Sequence, residues 1–258
     1  MPAPAPFAPV KRQLLISDFD ESFADADTDR WTFECLSLPL RRKFQDIGES
    51  GSMQFTDMCS MLLKELHGQG IDAQQIIEAQ KKLYLHPAMI RGVKALKSAQ
   101  SPKTEAFLLS NSNSVYLQTV LEANGLYPPT FDLFTEIVTN PATVEANGLL
   151  NLRRRVSPDG PQHTCKVGCS ANMCKGDELE AYLERHEGRE AYDRLIYLGD
   201  GSNDFCPVLR LGKNDVALVR KGYGLERRIK AEGGVQCDVR YWHHAWEVEE
   251  LFNALRGA

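Results

Sequence analysis

Two carboxylates with a single residue between them, Asp18 and Asp20, follow the short apolar run Leu14-Leu15-Ile16. Acids that close together repel, so they need a cation or one of them must keep a proton. The pair suits a carboxylate nucleophile beside a general acid/base, with a divalent metal to hold them. A solvated acidic turn would look the same in isolation. The distinction rests on whether the rest of the chain supplies a metal site and a cradle for phosphate.

Three further groups answer that. Ser110 follows the apolar stretch Glu105 to Leu109, and a hydroxyl can donate to a phosphate oxygen. Lys175 lies at or just before a helix start, where its charge and the local N–H groups attract an anion. Asp200 and Asp204 sit in Gly199-Asp200-Gly201-Ser202-Asn203-Asp204, directly after Leu195 to Leu198. Singly, Ser110 could be a helix cap, Lys175 a solvated residue and Asp200-Gly201 a turn. Together they form a nucleophile, an acid, a hydroxyl donor, a cation and hard oxygen ligands of the kind Mg²⁺ prefers. That set suits in-line phosphoryl transfer to a carboxylate.

The elements that must position these groups alternate. Leu14 to Ile16, Glu105 to Leu109, a stretch within Phe131 to Thr139, Leu195 to Leu198 and Val216 to Val219 read as strands. Helices are expected from Pro87 to about Ala99, from Val115 to Asn124, from Met173 to His186 and over Cys206 to Leu211, with a last one at Val248 to Leu255. Asn147-Gly148 predicts a hairpin. The pattern implies an α/β fold, a doubly wound, mainly parallel sheet covered on both faces, with its ligands beyond the carboxyl ends of the strands. Residues 30–86 read as helical without a strand pattern, an inserted small helical cap. The expected division is a disordered tail at 1–12, a catalytic core at 13–29 and 87–258, and the cap at 30–86. The alternating Asp25, Asp27 and Asp29 mimic a calcium loop. Arg30 stands where that loop needs Gly and Leu36 where it needs Glu, so a helix cap by Asp25 or Asp27 is the better reading.

Composition narrows the class. The chain has 258 residues, 43% hydrophobic and 25% charged, ordinary values for a globular domain. A net charge of −5 favours neither a nucleic-acid nor an anionic-membrane partner. No run is long enough for a membrane span, and the Pro/Ala-rich start is not patterned as a signal peptide. Seven cysteines, an odd number, argue for reduced thiols and a cytoplasmic setting. His163, Cys165, Cys169 and Cys174 could bind zinc, but their spacing is not that of a standard knuckle, and ordinary reduced thiols are the preferred reading. Nothing in the sequence sets the oligomeric state.

Asp18-Phe19-Asp20-Glu21-Ser22, Ser110, Lys175 and Gly199 to Asp204 resemble the four motifs of the haloacid dehalogenase superfamily of phosphatases. Ser110 to Val115, Thr139 to Ala142, His163 to Cys165, Ala171 to Lys175 and Gly201 to Pro207 resemble one family within it. That family holds the phosphoethanolamine/phosphocholine phosphatases and the pyridoxal phosphate phosphatases. The likeness runs from about Leu14 to Trp246. It implies that Asp18 forms an aspartyl-phosphate, and that Asp20 protonates the leaving oxygen and then activates water. It also implies Mg²⁺ on Asp18, the Asp20 carbonyl and Asp200. Ser110 and Lys175 would hold the phosphoryl oxygens, while Asp204 positions Lys175 or a metal-bound water.

Two positions bear on the substrate, a small phosphorylated metabolite. The family's acidic residue is retained at Asp29, whereas its usual Asp after the motif serine is Asn111 here. That change leaves a weaker site for a cationic amine, and the surrounding Ser112 to Val115 and Asn140 to Ala142 resemble the pyridoxal phosphate branch more closely. Three other readings share parts of this equipment. They are a phosphotransferase, a non-catalytic phospho-metabolite-binding protein, and a signalling receiver. The receiver lacks a helical insertion and a Gly-Asp-Gly loop.

Overall fold

The computed structural model describes residues 6–257. The chain runs β1 (Arg12–Ser17), α1 (Thr28–Leu36), α2 (Leu38–Ser50), α3 (Phe55–Gly68), α4 (Ala73–Gln80), α5 (Pro87–Ser98) and β2 (Lys103–Asn113). It continues with α6 (Ser114–Ala123), β3 (Glu136–Asn140), β4 (Ala142–Val144), β5 (Leu150–Leu152), α7 (Lys175–Arg185) and β6 (Arg194–Gly199). It closes with α8 (Phe205–Val208), β7 (Val216–Arg220), α9 (Gly224–Glu232), β8 (Asp238–Trp242) and α10 (Ala245–Leu255).

Six strands pair in the order β3-β2-β1-β6-β7-β8, every pair parallel. The chain leaves β1 towards β2 and β3, then returns to the other side of β1 for β6, β7 and β8. The strand order therefore reverses between β1 and β6, and a crevice opens there at the carboxyl ends.

Strand alternation sends residues of the sheet into two separate cores. Leu15, Leu108, Ile196 and Leu218 pack with Met89 and Val93 of α5, Leu121 of α6 and Phe252 of α10. Leu14, Ile16, Phe107 and Val219 pack with Leu179 and Tyr182 of α7, Val208 of α8 and Leu225 of α9. Each such fully buried side chain contributes about 1.5–3 kcal/mol. The central strands thus stay apolar on both faces, and polar groups collect at their ends.

Helices α1 to α4 form a third core, where Phe33, Met58, Leu62, Leu66 and Ile76 meet Tyr116 of α6 and the antiparallel β4–β5 hairpin through Leu150 and Leu152. Their ends are set locally. Asp27 caps α1 by accepting the Arg30 N–H at 2.7 Å, and Asp72 with Gln75 forms a capping box on α4.

The structure moves two expectations. β1 begins at Arg12, inside the expected tail, and Phe7 lies against the guanidinium groups of Arg194 and Arg240. The first residues of that tail, 1–5, lie outside the described residues. The unassigned segment before Trp242 is a sixth strand of the main sheet, β8, preceded by α9. Among the described residues no helix is long and apolar enough to cross a membrane.

Candidate active site

β1 ends at Ser17, and Asp18 is the first residue past it, 6% exposed. Its backbone N–H still bonds the Leu198 carbonyl of β6 at 2.9 Å, so the switch point of the sheet fixes it. Its carboxylate accepts from the Phe19 N–H at 2.7 Å and lies 2.6 Å from Lys175 Nζ. Lys175 is the first residue of α7 and only 1% exposed. The same ammonium reaches Asp204 Oδ1 at 2.7 Å.

Asp204 is filled. Oδ1 accepts from Lys175 and from Tyr197 OH, and Oδ2 accepts from the N–H groups of Asp200 and Gly201. Four donors occupy the four lone-pair positions of one carboxylate. Asp204, read from the sequence both as a hard oxygen ligand and as the group that positions Lys175, holds Lys175 and the turn after β6. That turn also explains Gly199. A Cβ there would stand 2.8 Å from Asp204 Oδ2, so only glycine lets the carboxylate close on the backbone.

Asp18, Asp200 and Asp204 bring carboxylate oxygens within 4.8 Å of one another. Burial pushes Asp18 up to about 7; Lys175 pulls it down and Asp204 adds to the rise. Burial also pushes Asp200 up to about 8, with Asp204 and Asp18 adding to it, against the Ser22 hydroxyl that donates to Asp200 Oδ1 at 2.8 Å. Lys175 is raised: burial opposes its charge, but Asp18 and Asp204 outweigh that cost. Ionising all three carboxylates beside one ammonium would leave two net negative charges in a buried oxygen-only site, and a hard divalent cation fits that need. Asp18 and Asp200 have the free lone pairs for it.

β1 has ended before Asp20, which lines the same cavity as Asp18. Asp20 turns to α1, accepting from Thr28 N at 2.9 Å and from Thr28 Oγ1 at 3.2 Å. Thr28 Oγ1 continues to Ser112 Oγ of β2 at 2.7 Å. Asp20, Asp27 and Asp29 make a second carboxylate trio. Burial raises Asp20 well above the usual carboxylate range, and Asp27 and Asp29 push it further. A carboxyl raised in this way is suited to donating a proton.

The loop that follows Asp20 is pinned. Glu21 adopts the left-handed region at φ +53°, which costs a non-glycine residue free energy. Arg30, Arg220 and Tyr223 all bond its carboxylate, and Arg220 also bonds its carbonyl at 2.7 Å.

A cavity of about 440 Å³ opens over this ground, with Asp18, Asp20, Asp27, Asn111, Asp200 and Arg228 in its wall. Gln54 and Phe55, where α3 begins, face it from the helical layer. A larger cleft of about 980 Å³ lies elsewhere, among Phe7, Arg194, Asp215 and Asp238, and includes none of the predicted site residues. Asn111 accepts from Asn203 Nδ2 at 3.2 Å, which ties the β2 and β6 loops together. Ser110 is fully buried; its Oγ accepts from Ser112 N–H at 3.1 Å, so its own proton stays available. Asp29, expected to meet substrate, is 2% exposed and does not line the cavity.

Sequence reasoning passed over Ser22, Thr28, Tyr197 and Arg228. Ser22 closes the first motif and Thr28 follows it, and both read as generic turn and cap residues. Tyr197 sits inside an apolar strand, and no pattern shows that its hydroxyl meets Asp204.

A doubly wound parallel sheet with this acid–lysine–acid arrangement at its switch point defines a phosphatase of the haloacid dehalogenase type. The chain belongs to the family described as Putative Phosphatase, whose profile matches residues 13–255. It is 32% identical over 220 residues to pyridoxal phosphate phosphatase PHOSPHO2 of Bos taurus, covering 84% of this chain and 85% of that one. It is 31% identical over 238 residues to inorganic pyrophosphatase 1 of Arabidopsis thaliana, covering 91% and 76%. The crystal structure of a had family hydrolase from Salmonella enterica serovar Typhi shares the fold at 13% identity, with a TM-score of 0.64 over 95% of this chain and 71% of that one. The protein is a phosphoric monoester hydrolase.

Proposed function

We propose that the protein is a Mg²⁺-dependent phosphatase of small phosphomonoesters that works through an aspartyl-phosphate on Asp18. The observation that carries this reading is the Lys175 ammonium bridging Asp18 and Asp204 inside an oxygen-only trio that opens on the cavity. Asp18 and Asp200, with the Asp20 carbonyl, would hold Mg²⁺, which when bound offsets the charge of the phosphoryl group. The Asp18 carboxylate attacks phosphorus and the ester P–O bond breaks. Asp20, kept protonated by burial, gives its proton to the leaving oxygen. Water then attacks the aspartyl-phosphate, Asp20 takes a proton from it, and phosphate leaves. Ser110 and Lys175 hold the phosphoryl oxygens. Thr28 keeps Asp20 in place.

Helices α1 to α4 act as a cap over residues 30–86 that excludes bulk water, consistent with Gln54 and Phe55 in the cavity wall. A planar aromatic at Phe55 and the neutral Asn111 favour a ring-bearing monoester over a cationic amine, which makes pyridoxal phosphate the first candidate. The names of the two relatives differ in substrate, so identity alone does not choose.

The test is phosphate release with Mg²⁺ from pyridoxal phosphate, phosphoethanolamine, phosphocholine, thiamine monophosphate, phosphoserine and a sugar phosphate. We expect one clear preference that is abolished in Asp18→Asn and by chelation. Mg²⁺-dependent turnover surviving in Asp18→Asn would remove the assigned nucleophile.

A further inference from the structure

A second constellation lies beside the carboxylates and takes no part in the chemistry above. Cys165, Cys169, Cys174 and Cys206 bring all four Sγ atoms within 4.8 Å of one another. Cys165 lies 3.7 Å from Cys169 and 3.5 Å from Cys206, and Cys174 lies 3.5 Å from Cys206. All four are free thiols. A tetrahedral zinc thiolate site, with Zn–S of about 2.3 Å, spaces its sulfurs by about 3.8 Å. We propose that these four cysteines hold a structural Zn²⁺ ion.

The surroundings match that assignment. Gly168 at φ +90° makes the turn that brings Cys169 back towards Cys165. The Val167 N–H donates to Cys165 Sγ at 3.4 Å. Arg210 Nη2 stands 3.8 Å from Cys206 Sγ and 4.0 Å from Cys174 Sγ, placed to offset the double negative charge of a zinc bound by four thiolates. His163, weighed earlier as a ligand, turns away: its Nε2 contacts the Ser170 carbonyl at 2.9 Å. Cys206, from another element, completes the set in its place. The sequence spacing of three cysteines was uninformative because the fourth comes from α8.

The site also supplies what the chain here lacks. Between Leu152 and Lys175 no helix or strand forms, a connection long enough to need something holding it. The zinc would fasten that loop to the start of α7 and to α8. Cys174 directly precedes Lys175, and Cys206 follows Asp204 by two residues, so the ion braces the same two elements that the Lys175–Asp204 pair joins. Gly168, Cys169 and Ser170 form part of the cavity wall, so the ion fixes that wall as well. With all four positions taken by protein, it has none open for substrate and is not catalytic.

The experiment measures metal in the full-length protein, purified reduced and without added metal, by plasma mass spectrometry. We expect about one zinc per chain, released stoichiometrically by a mercurial thiol reagent. Replacing it with Co²⁺ should give sulfur-to-metal charge-transfer and tetrahedral d–d bands, which an oxygen-ligated active-site cation cannot produce. Cys206→Ser should lose the zinc, while Cys35→Ser and His163→Ala keep it. If Cys206→Ser fails to fold, the wild-type Co²⁺ spectrum decides by itself. Absence of zinc after expression in zinc-supplemented medium, a Co²⁺ form without sulfur bands, or a disulfide among the four found by alkylation and mass spectrometry would each overturn the assignment.

Discussion

The molecule holds two trios of aspartates, each with its oxygens within 4.8 Å, and it treats them in opposite ways. Asp18, Asp200 and Asp204 share a buried ammonium, Lys175, and a set of backbone N–H groups. Among the described residues Asp20, Asp27 and Asp29 share no such ammonium. Arg30 lowers Asp27 electrostatically, but it hydrogen-bonds Glu21. Burial raises the whole second trio, Asp29 as far as about 8. Burial raises Asp18 to about 7 and Asp200 to about 8 as well, but only in the first trio does an ammonium, Lys175, pull back towards the ionised form; on the proposed mechanism that difference suits a nucleophile at Asp18 and an acid at Asp20. Asp18 and Asp20 are two residues apart, yet the end of β1 assigns them to different trios.

The largest way to break that contrast is Lys175→Met. It leaves three buried carboxylates without their ammonium, and losing one partner of a buried pair costs about 3–5 kcal/mol. Activity should vanish and the metal-free protein should melt earlier. Mg²⁺ should raise the melting temperature of the variant by more than it raises that of the wild type. A Mg²⁺ effect no larger than in wild type would show that the first trio is not where the cation binds.

Asp20→Asn tests the second trio with a smaller effect. The amide can keep the Thr28 contact but cannot supply a proton, so turnover of an alkyl phosphate should fall about 10²–10⁴-fold. Nitrophenyl phosphate needs no protonation of its leaving group. It should still give one burst of nitrophenolate per site and then stall, because the base for the second step is gone. Stopped-flow absorbance checks this; equal loss on both substrates with no burst would put the proton source elsewhere.

How much of this was visible in the sequence follows from where the signal lies. Strands β1, β2, β6 and β7 are buried on both faces, so they read as apolar runs, and the motifs at their ends could be placed. Edge strand β8, Asp-Val-Arg-Tyr-Trp, is only partly buried and carries charges, so it gives no such run. Polar α9 has few buried residues and no strong stripe. The fate of Asp20 depended on whether β1 reached it, and strand ends are the least legible feature of a sequence. Asp29 sits in the first turn of α1, where spacing alone does not say whether a side chain faces the cavity or Cys59 beneath it.

Asp29 offers the mildest test and the sharpest one for the second trio. It is 2% exposed, and its Oδ1 finds no hydrogen-bond partner among the described residues. Burial and the charge of Asp27 push it up to about 8, against a hydrogen bond from Cys59; Asp20 and Tyr116 are its other titratable neighbours. In the unfolded chain it loses its proton near the ordinary carboxylate value of about 3.9. Between these two values the folded state binds more protons than the unfolded one, so stability falls as pH rises. The contribution is fully present below about pH 4 and is lost by the time pH has passed about 8. Asp29→Asn cannot ionise and removes that slope. The variant should therefore gain on wild type as pH rises from 5 to 8. A gain on the order of 1 kcal/mol would raise the melting temperature by about 2–4 °C. Thermal melts at both pH values without Mg²⁺ decide it. A variant that gains equally at both, or loses at the higher one, would mean that Asp29 is already ionised in the fold and that the second trio is not a proton store.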